Sequence, residues 1–406
     1  MLVAGYPQEV VSNQQPATSN SQSTTMSFPK LGILGGGQLG KMLCQAASCW
    51  ELPIYALDAS IEFPAGPYCR GFQEGSFKNY EDVLGFGRQM DIVTIEIEHV
   101  NTDALRQLQT EGKTVHPNPA ALDIIKDKGL QKQFYQQHKI PTSPFQLFTD
   151  KNAILNAIKS GDLKIPFVQK SRTAGYDGKG VAVIKTEADL TNKLLAGACM
   201  IEDLVAMEKE IAVVVARNEK GEIAIFDPVE MEFNPIANLV EFLICPSTIT
   251  PAQATICTNL AKQVIEAFDI CGLLAVELFL DKKGNILVNE VAPRPHNSGH
   301  HTIDSAITSQ YEQHLRGILN LPLGSTKMTS PSVMVNLLGA DGFTGDAHYE
   351  GLAECLAIEG VKIHLYGKKM TKPFRKMGHA TIIADSIEEA KEKAKQVQST
   401  LIIKTV

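Results

Sequence analysis

Residues 30–34 form a short apolar run, and Gly35-Gly36-Gly37-Gln38-Leu39-Gly40 follows at once. Residues 41–47 then continue with helical spacing. A strand that turns on glycines straight into a helix has few options. The helix must cross back over a sheet and deliver the chain to a parallel neighbour, so this opening predicts an α/β unit. The next strand, 53–57, ends in Asp58, and the glycines fit G-x-G-x-x-G. On a dinucleotide template such an acid holds a ribose hydroxyl; otherwise it is a solvated strand end. Backbone N–H groups at the start of a helix suit any phosphate. The motif therefore leaves NAD, another phosphate-bearing ligand and a merely tight turn open. A further strand is expected over 91–98, with Glu96 and Glu98 on one face at period two. That face is either a polar strand end or a cleft edge turned to a cationic or amine-bearing ligand. An amphipathic helix is expected over 120–138, followed by a linker at 140–144.

Composition removes several function classes. The chain has 406 residues, 44% hydrophobic and 20% charged, the balance of a folded soluble protein. At roughly 100–200 residues per domain this predicts two to four domains. A net charge of -7 opposes a globally basic nucleic-acid binder. The basic cluster Lys362, Lys368, Lys369, Lys372, Arg375 and Lys376 reads on its own as a solvated face. No apolar run approaches the ~18 residues of a membrane helix. The eight cysteines include no C-x-x-C pair, which suits reduced thiols in a cytoplasmic protein. Residues 10–25 are mostly Ser, Thr, Asn and Gln, so 1–27 is expected to be a disordered tail without the marks of a signal peptide. Met26 is a candidate start of the domain.

The middle of the chain redirects the reading. A strand over 165–170 ends in Lys170, a glycine-rich loop follows to Gly180, and a second strand covers 181–184. A Walker loop opens a helix; this loop opens a strand. It reads as a lid over phosphates, as in the kinase glycine loop, or as an ordinary hairpin turn. Residues 199–205 form a buried strand running into Glu202 and Asp203. Such an edge can offer backbone groups to adenine and a carboxylate to ribose. A hairpin is expected from 210–215 and 222–228, and another over 273–291 around a turn at 281–285. Glu277 and Glu290 are equidistant from the turn's centre between Lys283 and Gly284, so regular pairing sets them opposite each other on one face. Like charges directly opposite destabilise a sheet, and a divalent cation between them relieves the conflict. A solvated or half-protonated pair is the alternative. After residue 292 a long helix is expected to about 319. Asn297 and Ser298 suit its start, and their N–H groups with Arg294 would form an anion pocket. The spacing of His296, His300 and His301 does not argue for a metal site.

Strand-lysine, the G-Y-D-G-K-G lid, the acidic hinge, the paired glutamates and N-E-x-A-P-R-P-H-N-S-G-H come in the order of the ATP-grasp ligases. The last block, with G-G-G-Q-L-G near the start and residues 365–368 and 375–379 near the end, resembles the 5-(carboxyamino)imidazole ribonucleotide synthase family. The resemblance implies an α/β fold. A Rossmann-like domain would cover 28–120, an ATP-grasp domain 121–325 and a small C-terminal domain 326–406. It also implies ATP-dependent carboxylation of 5-aminoimidazole ribonucleotide with bicarbonate, through carboxyphosphate, in purine biosynthesis. Its partners would be these small molecules, not nucleic acid or a membrane, and it would be a cytoplasmic homodimer. Carried over residue by residue, the family pattern places ATP against Lys128, Lys170, Gly175, Tyr176, Asp177, Gly178, Lys179, Gly180 and Val181. The ATP set continues with Glu202, Asp203, Leu204, Val205, Glu210, Asn234, Asn289 and Glu290. Magnesium, or manganese, falls to Glu277 and Glu290. Gly37, Gln38, Leu39, Glu98, Asn297, Ser298, Lys368, Arg375 and Lys376 fall to the ribonucleotide. The catalytic set is Tyr176, Asp177, Lys179, Arg294, Lys368 and Arg375. Lys128 stands where the family often has arginine, and Asn234 where histidine is common.

Overall fold

A computed structural model describes residues 28–173, 180–233 and 240–405. Its first part is an all-parallel five-stranded sheet in the order β3-β2-β1-β4-β5. The strands are β1 (Leu31–Leu34), β2 (Ile54–Asp58), β3 (Gly71–Glu74), β4 (Ile92–Ile95) and β5 (Thr114–Val115). Strand order reverses between β1 and β4, and ligands of such sheets bind at that switch, beyond the carboxyl ends of the strands. The glycine turn after β1 and Glu96 after β4 both lie there. The expected strand 91–98 is shorter: it stops at Ile95, and the two glutamates belong to the segment beyond it.

The expected helix over 120–138 is two helices, Pro119–Lys126 and Lys128–Gln137. Asp127 breaks it with an extended backbone (φ -113, ψ 109) and caps the second helix, its Oδ1 accepting the N–H groups of Gly129 and Leu130. Arg172 holds the cap in place through two hydrogen bonds to Asp127, at 2.9 and 2.6 Å. A side-chain cap offers the backbone an alternative to the helix ladder, and here it wins.

A four-stranded antiparallel sheet follows in the order β6-β9-β7-β8, from β6 (Phe145–Phe148), β7 (Phe167–Ser171), β8 (Val181–Ile184) and β9 (Cys199–Asp203). The largest sheet begins with β10 (Met207–Arg217), to which β11 (Ile223–Ile225) is paired. It continues through β12 (Val229–Phe233), β13 (Val240–Cys245), β14 (Gly272–Asp281), β15 (Ile286–Ala292) and β16 (Ser332–Leu338). Strands Lys376–Ile383 and Val361–Leu365 complete it. β13 pairs with β16, so one sheet runs through both the central and the C-terminal parts of the chain.

Helix Pro251–Ala267 starts on a Thr250–Gln253 capping box with proline at its first turn. Its Leu260, Val264 and Ile265 pack on Val213, Leu274 and Val276 of the large sheet. Helix Ile387–Thr400 covers the far end of that sheet with Ala390, Ala394 and Val397. One core cluster joins all three parts of the chain: Leu31 and Ile33 from β1, Leu315 and Ile318 from helix Gln310–Ile318, and Tyr366 from the C-terminal part. The long helix expected to about 319 is three pieces: a 3-10 turn Asn297–Gly299, a short helix Thr302–Ser305, then Gln310–Ile318. All eight cysteines are free thiols. Among the described residues no helix is long and apolar enough to cross a membrane.

Candidate active site

The three parts of the chain meet at one cleft of about 500 Å³. Gln38 and Leu39 line it from the first part, Lys128, Arg172, Glu277, Glu290, Arg294 and His296 from the second, and Tyr366 and Lys376 from the third.

The glycine turn forms its first corner, though not as a free cradle. Gly36 N–H donates to Asp58 Oδ2 at 2.7 Å and Gly37 N–H to Glu96 Oε1 at 2.6 Å. Gly40 N–H donates to Glu96 Oε2. A protein carboxylate thus fills the anion-binding end of the helix, where free N–H groups were expected. Burial pushes the Glu96 carboxyl up to about 7 against the N–H groups of Gly40 and Gly37. A Cβ at Gly37 would collide with Glu96, so the turn needs glycine for close approach. Asp58 is spent on Gly36 and Ala59 N–H groups and so serves the turn.

The second corner is cationic. The break at Asp127 puts Lys128 at the head of its helix, where its Nζ pairs with Glu290. Lys170, on β7, pairs with Glu202 Oε2 at 2.6 Å and donates to Asn289 Oδ1 at 2.8 Å. Glu202 lies at the end of β9 and is buried among cations. Lys132 pairs with its Oε1 at 2.6 Å, and Ser143 Oγ donates to the same oxygen at 2.7 Å.

The third corner is the β14–β15 hairpin. Pairing is not regular as the sequence suggests. Val276 faces Val291, but Leu278 faces Val288, so Asn289 and Glu290 together oppose Glu277. This is a β-bulge, which re-aims side chains beside a site. Both glutamates face the cleft, and the bulge frees Asn289 to meet Lys170. Burial, then the charges of Glu290 and Glu210, push Glu277 up to about 8. Glu290 is buried as well, yet Lys128 and Lys170 hold it down at about 2. Two carboxyl groups on one face supply a hard-oxygen donor set, and a cation there would replace the proton that Glu277 is driven to keep. The pair fits magnesium.

Elsewhere in the cleft Arg294 pairs with Glu98 at 2.8 Å, and His296 Nε2 lies 3.7 Å from Glu277. Asn297 exchanges amide hydrogen bonds with Asn336 at 2.9 and 3.1 Å, and Ser298 N–H faces His296 Nδ1 at 3.3 Å. The Asn297 side chain and the Ser298 N–H are thus engaged within the protein, and the long helix start on which the expected pocket rested is a 3-10 turn, Asn297–Gly299. Among the described residues no three His, Cys, Asp or Glu side chains gather as a metal cluster, the three histidines included. Lys368 Nζ donates to Lys376 O at 2.7 Å and Arg375 to Met370 O at 2.6 Å, while Lys376 itself lines the cleft.

Val181 opens β8 opposite Lys170, with Gly180 just before it. Asp203 ends β9, and Leu204 and Val205 lie in the link to β10. Glu210 sits on β10, where burial, then the Glu290 charge, outweighs Lys170 and pushes it up to about 7. Gly175, Tyr176, Asp177, Gly178, Lys179 and Asn234 lie outside the described residues. Sequence reasoning missed Lys132 and Arg172. Lys132 follows Lys128 by four positions, the spacing that shares a helix face, and that signal was available.

A sheet carrying a pair of carboxylates, set against a second sheet carrying a phosphate-type lysine, is the architecture of an ATP-grasp ligase. Three domain families match: a ribonucleotide synthetase preATP-grasp domain over 28–126, an ATP-grasp domain over 133–311 and a phosphoribosylaminoimidazole carboxylase C-terminal domain over 332–393. The N5-carboxyaminoimidazole ribonucleotide synthetase of Thermotoga maritima superposes with a TM-score of 0.85 at 42% identity, over 93% of this chain and 100% of that one. The Aspergillus clavatus enzyme, solved with ADP and 5-aminoimidazole ribonucleotide, gives 0.84 at 30% identity, over 92% and 98%. The chloroplastic phosphoribosylaminoimidazole carboxylase of Vigna aconitifolia is 37% identical over 367 residues, which cover 88% of this chain and 64% of that longer protein. The chain belongs to the N5-carboxyaminoimidazole ribonucleotide synthase family.

Proposed function

We propose that this chain carboxylates the exocyclic amine of 5-aminoimidazole ribonucleotide with bicarbonate, consuming ATP and releasing ADP and phosphate. The observation that carries the reading is the single cleft. It brings the carboxylate pair and Lys128 of the phosphate-transfer side together with Gln38, Leu39 and Lys376 from the two flanking parts. The relative bound to ADP and 5-aminoimidazole ribonucleotide supports it. Bicarbonate is a poor electrophile, and phosphorylation to carboxyphosphate gives it a leaving group. That intermediate is labile in water, so the cleft must close, a role that falls to the loop 174–180. Lys128 and Lys170 meet the phosphates, Glu210 the ribose of ATP, and the segment 203–205 its adenine. Glu277 and Glu290 would hold magnesium, which spreads the charge of the transferring phosphoryl group. Arg294, Lys368, Arg375 and Lys376 handle bicarbonate and the ribonucleotide phosphate, and Tyr176, Asp177 and Lys179 act from the loop.

A nicotinamide dehydrogenase has no support in the turn, whose N–H groups are spent on Asp58 and Glu96. The protein works in the cytoplasm as a homodimer, which light scattering checks. Domain limits at 120 and 325 follow the motif order, with the large sheet crossing the second. The test is ADP release with bicarbonate and 5-aminoimidazole ribonucleotide each omitted in turn. Release should need all three substrates for full rate. A rate indifferent to the ribonucleotide overturns the reading.

A further inference from the structure

Lys132 is among the largest fully buried side chains of the molecule, and nothing above gives it a part in the reaction. Its side chain is 2% exposed and that of its partner Glu202 3%, so both charges are cut off from water. Buried charges persist only when paired and hydrogen-bonded. Here three charges share one enclosure. Lys132 Nζ takes Glu202 Oε1 at 2.6 Å, and Lys170 Nζ takes Oε2 at 2.6 Å. Lys132 also donates to Thr142 Oγ1 and to Val288 O at 3.3 Å. Val288 stands beside the bulge that carries Asn289 and Glu290. Despite burial, the charges of Lys170 and Lys132 hold the Glu202 carboxyl down at about 2. Burial takes Lys132 down to about 8, which still leaves it charged near neutrality. The group is therefore two cations on one anion, with a surplus of one positive charge.

The location of that surplus matters. Lys132 is sealed in, whereas Lys170, whose side chain is 11% exposed, reaches Asn289, the chain neighbour of the cleft-lining Glu290. A single carboxylate with a single lysine is a neutral pair that offers little to an incoming phosphate. A carboxylate already satisfied by another lysine leaves the second lysine its charge. We propose that Lys132 is a positioning residue that neutralises Glu202, so that the charge of Lys170 is available to the phosphates of ATP. This rests on the ATP-using reading of the cleft.

The experiment is a charge complementation, read as ATP affinity by calorimetry and as the separate KM values for ATP and ribonucleotide. In Lys132→Met, Glu202 turns wholly to Lys170, and ATP affinity should fall about tenfold or more. The ribonucleotide KM should stay within about twofold. In Lys132→Met/Glu202→Gln the anion is gone too, and affinity should rise at least about threefold above that of Lys132→Met. Lys132→Arg, which keeps the charge, should lie between. If Lys132→Met does not fold, Lys132→Gln, which still donates a hydrogen bond but carries no charge, takes its place, alone and with Glu202→Gln. A double variant that binds ATP no more tightly than the single one, or full affinity in the single one, overturns the proposal. A wild-type chain that binds no ATP overturns the reading of the cleft itself and the proposal with it.

Discussion

Glu277 and Glu290 occupy one bulge and differ in what surrounds them. Glu290 has Lys128 against it, and Glu277 has another carboxylate. In the proposed function both would share one divalent cation, so the pair should act as a unit. Glu290→Gln is expected to lower kcat about a hundredfold, on the order of 3 kcal/mol, with the fold intact. Combining it with Glu277→Gln should add little, since either change breaks the site. Measuring kcat against magnesium for both singles and the double checks this; full activity of either single at limiting magnesium leaves only a structural pair. Their proximity is legible in the sequence because both lie the same distance from a turn. The bulge is not legible, since it depends on Asn289 finding Lys170 across two sheets. Glu202 gives a second expectation. Its folded pKa of about 2 lies below its ordinary 4.5, so its contribution is fully present above about pH 4.5 and is lost as pH falls toward 2. Urea-unfolding free energy should fall across that window more steeply in wild type than in Lys132→Met/Glu202→Gln.

Among the elements, the break between helices Pro119–Lys126 and Lys128–Gln137 does most to build the site. Apolar periodicity runs through residues 120–138 without interruption, so pattern alone predicts one helix. The interruption comes from Asp127, whose cap is held by Arg172, 45 positions away. Its effect is to end one helix and start the next with Lys128 facing Glu290. The glycine turn teaches the same lesson. Its glycines are legible, but its occupant, Glu96, is not, because the acid arrives from 59 positions further on. Asp127→Ala should remove a cap worth about 1 kcal/mol and leave the Arg172 guanidinium without its partner. A loss of about 1–3 kcal/mol in unfolding free energy is expected, together with a raised KM for ATP as Lys128 loses its anchor. Unchanged ATP kinetics in a destabilised variant would assign the break to stability alone.

At the scale of the whole molecule, the cleft exists only if the third part of the chain stays docked on the first. Tyr366 is buried in the cluster formed with β1 and helix Gln310–Ile318, which supplies the apolar share of that docking. The polar share centres on Lys41, the residue after the glycine turn. It is nearly buried, lies 5.0 Å from the Tyr68 ring centre, and donates to Leu365 O at 2.7 Å. An exposed Lys369–Glu62 pair spans the same junction, and a pair of that kind contributes little. Lys41 therefore ties the helix that carries Gln38 and Leu39 to the strand end that leads into Tyr366 and Lys368. Its contact spans 324 positions, which explains why motif reading takes Lys41 for an ordinary helix residue. Lys41→Met would leave the Leu365 carbonyl unpaired in a part-buried place, at about 1–3 kcal/mol. That cost falls on the side of the cleft proposed for the ribonucleotide, since the lysines and carboxylates of the proposed ATP side are fixed by other elements. The KM for the ribonucleotide should rise about tenfold. The KM for ATP should stay within about twofold, and Lys41→Arg should recover part of the loss. Steady-state kinetics with each substrate varied in turn separates the cases. An equal rise in both KM values would mean that the clasp holds the ATP side as well, and that the two halves of the cleft are not independent.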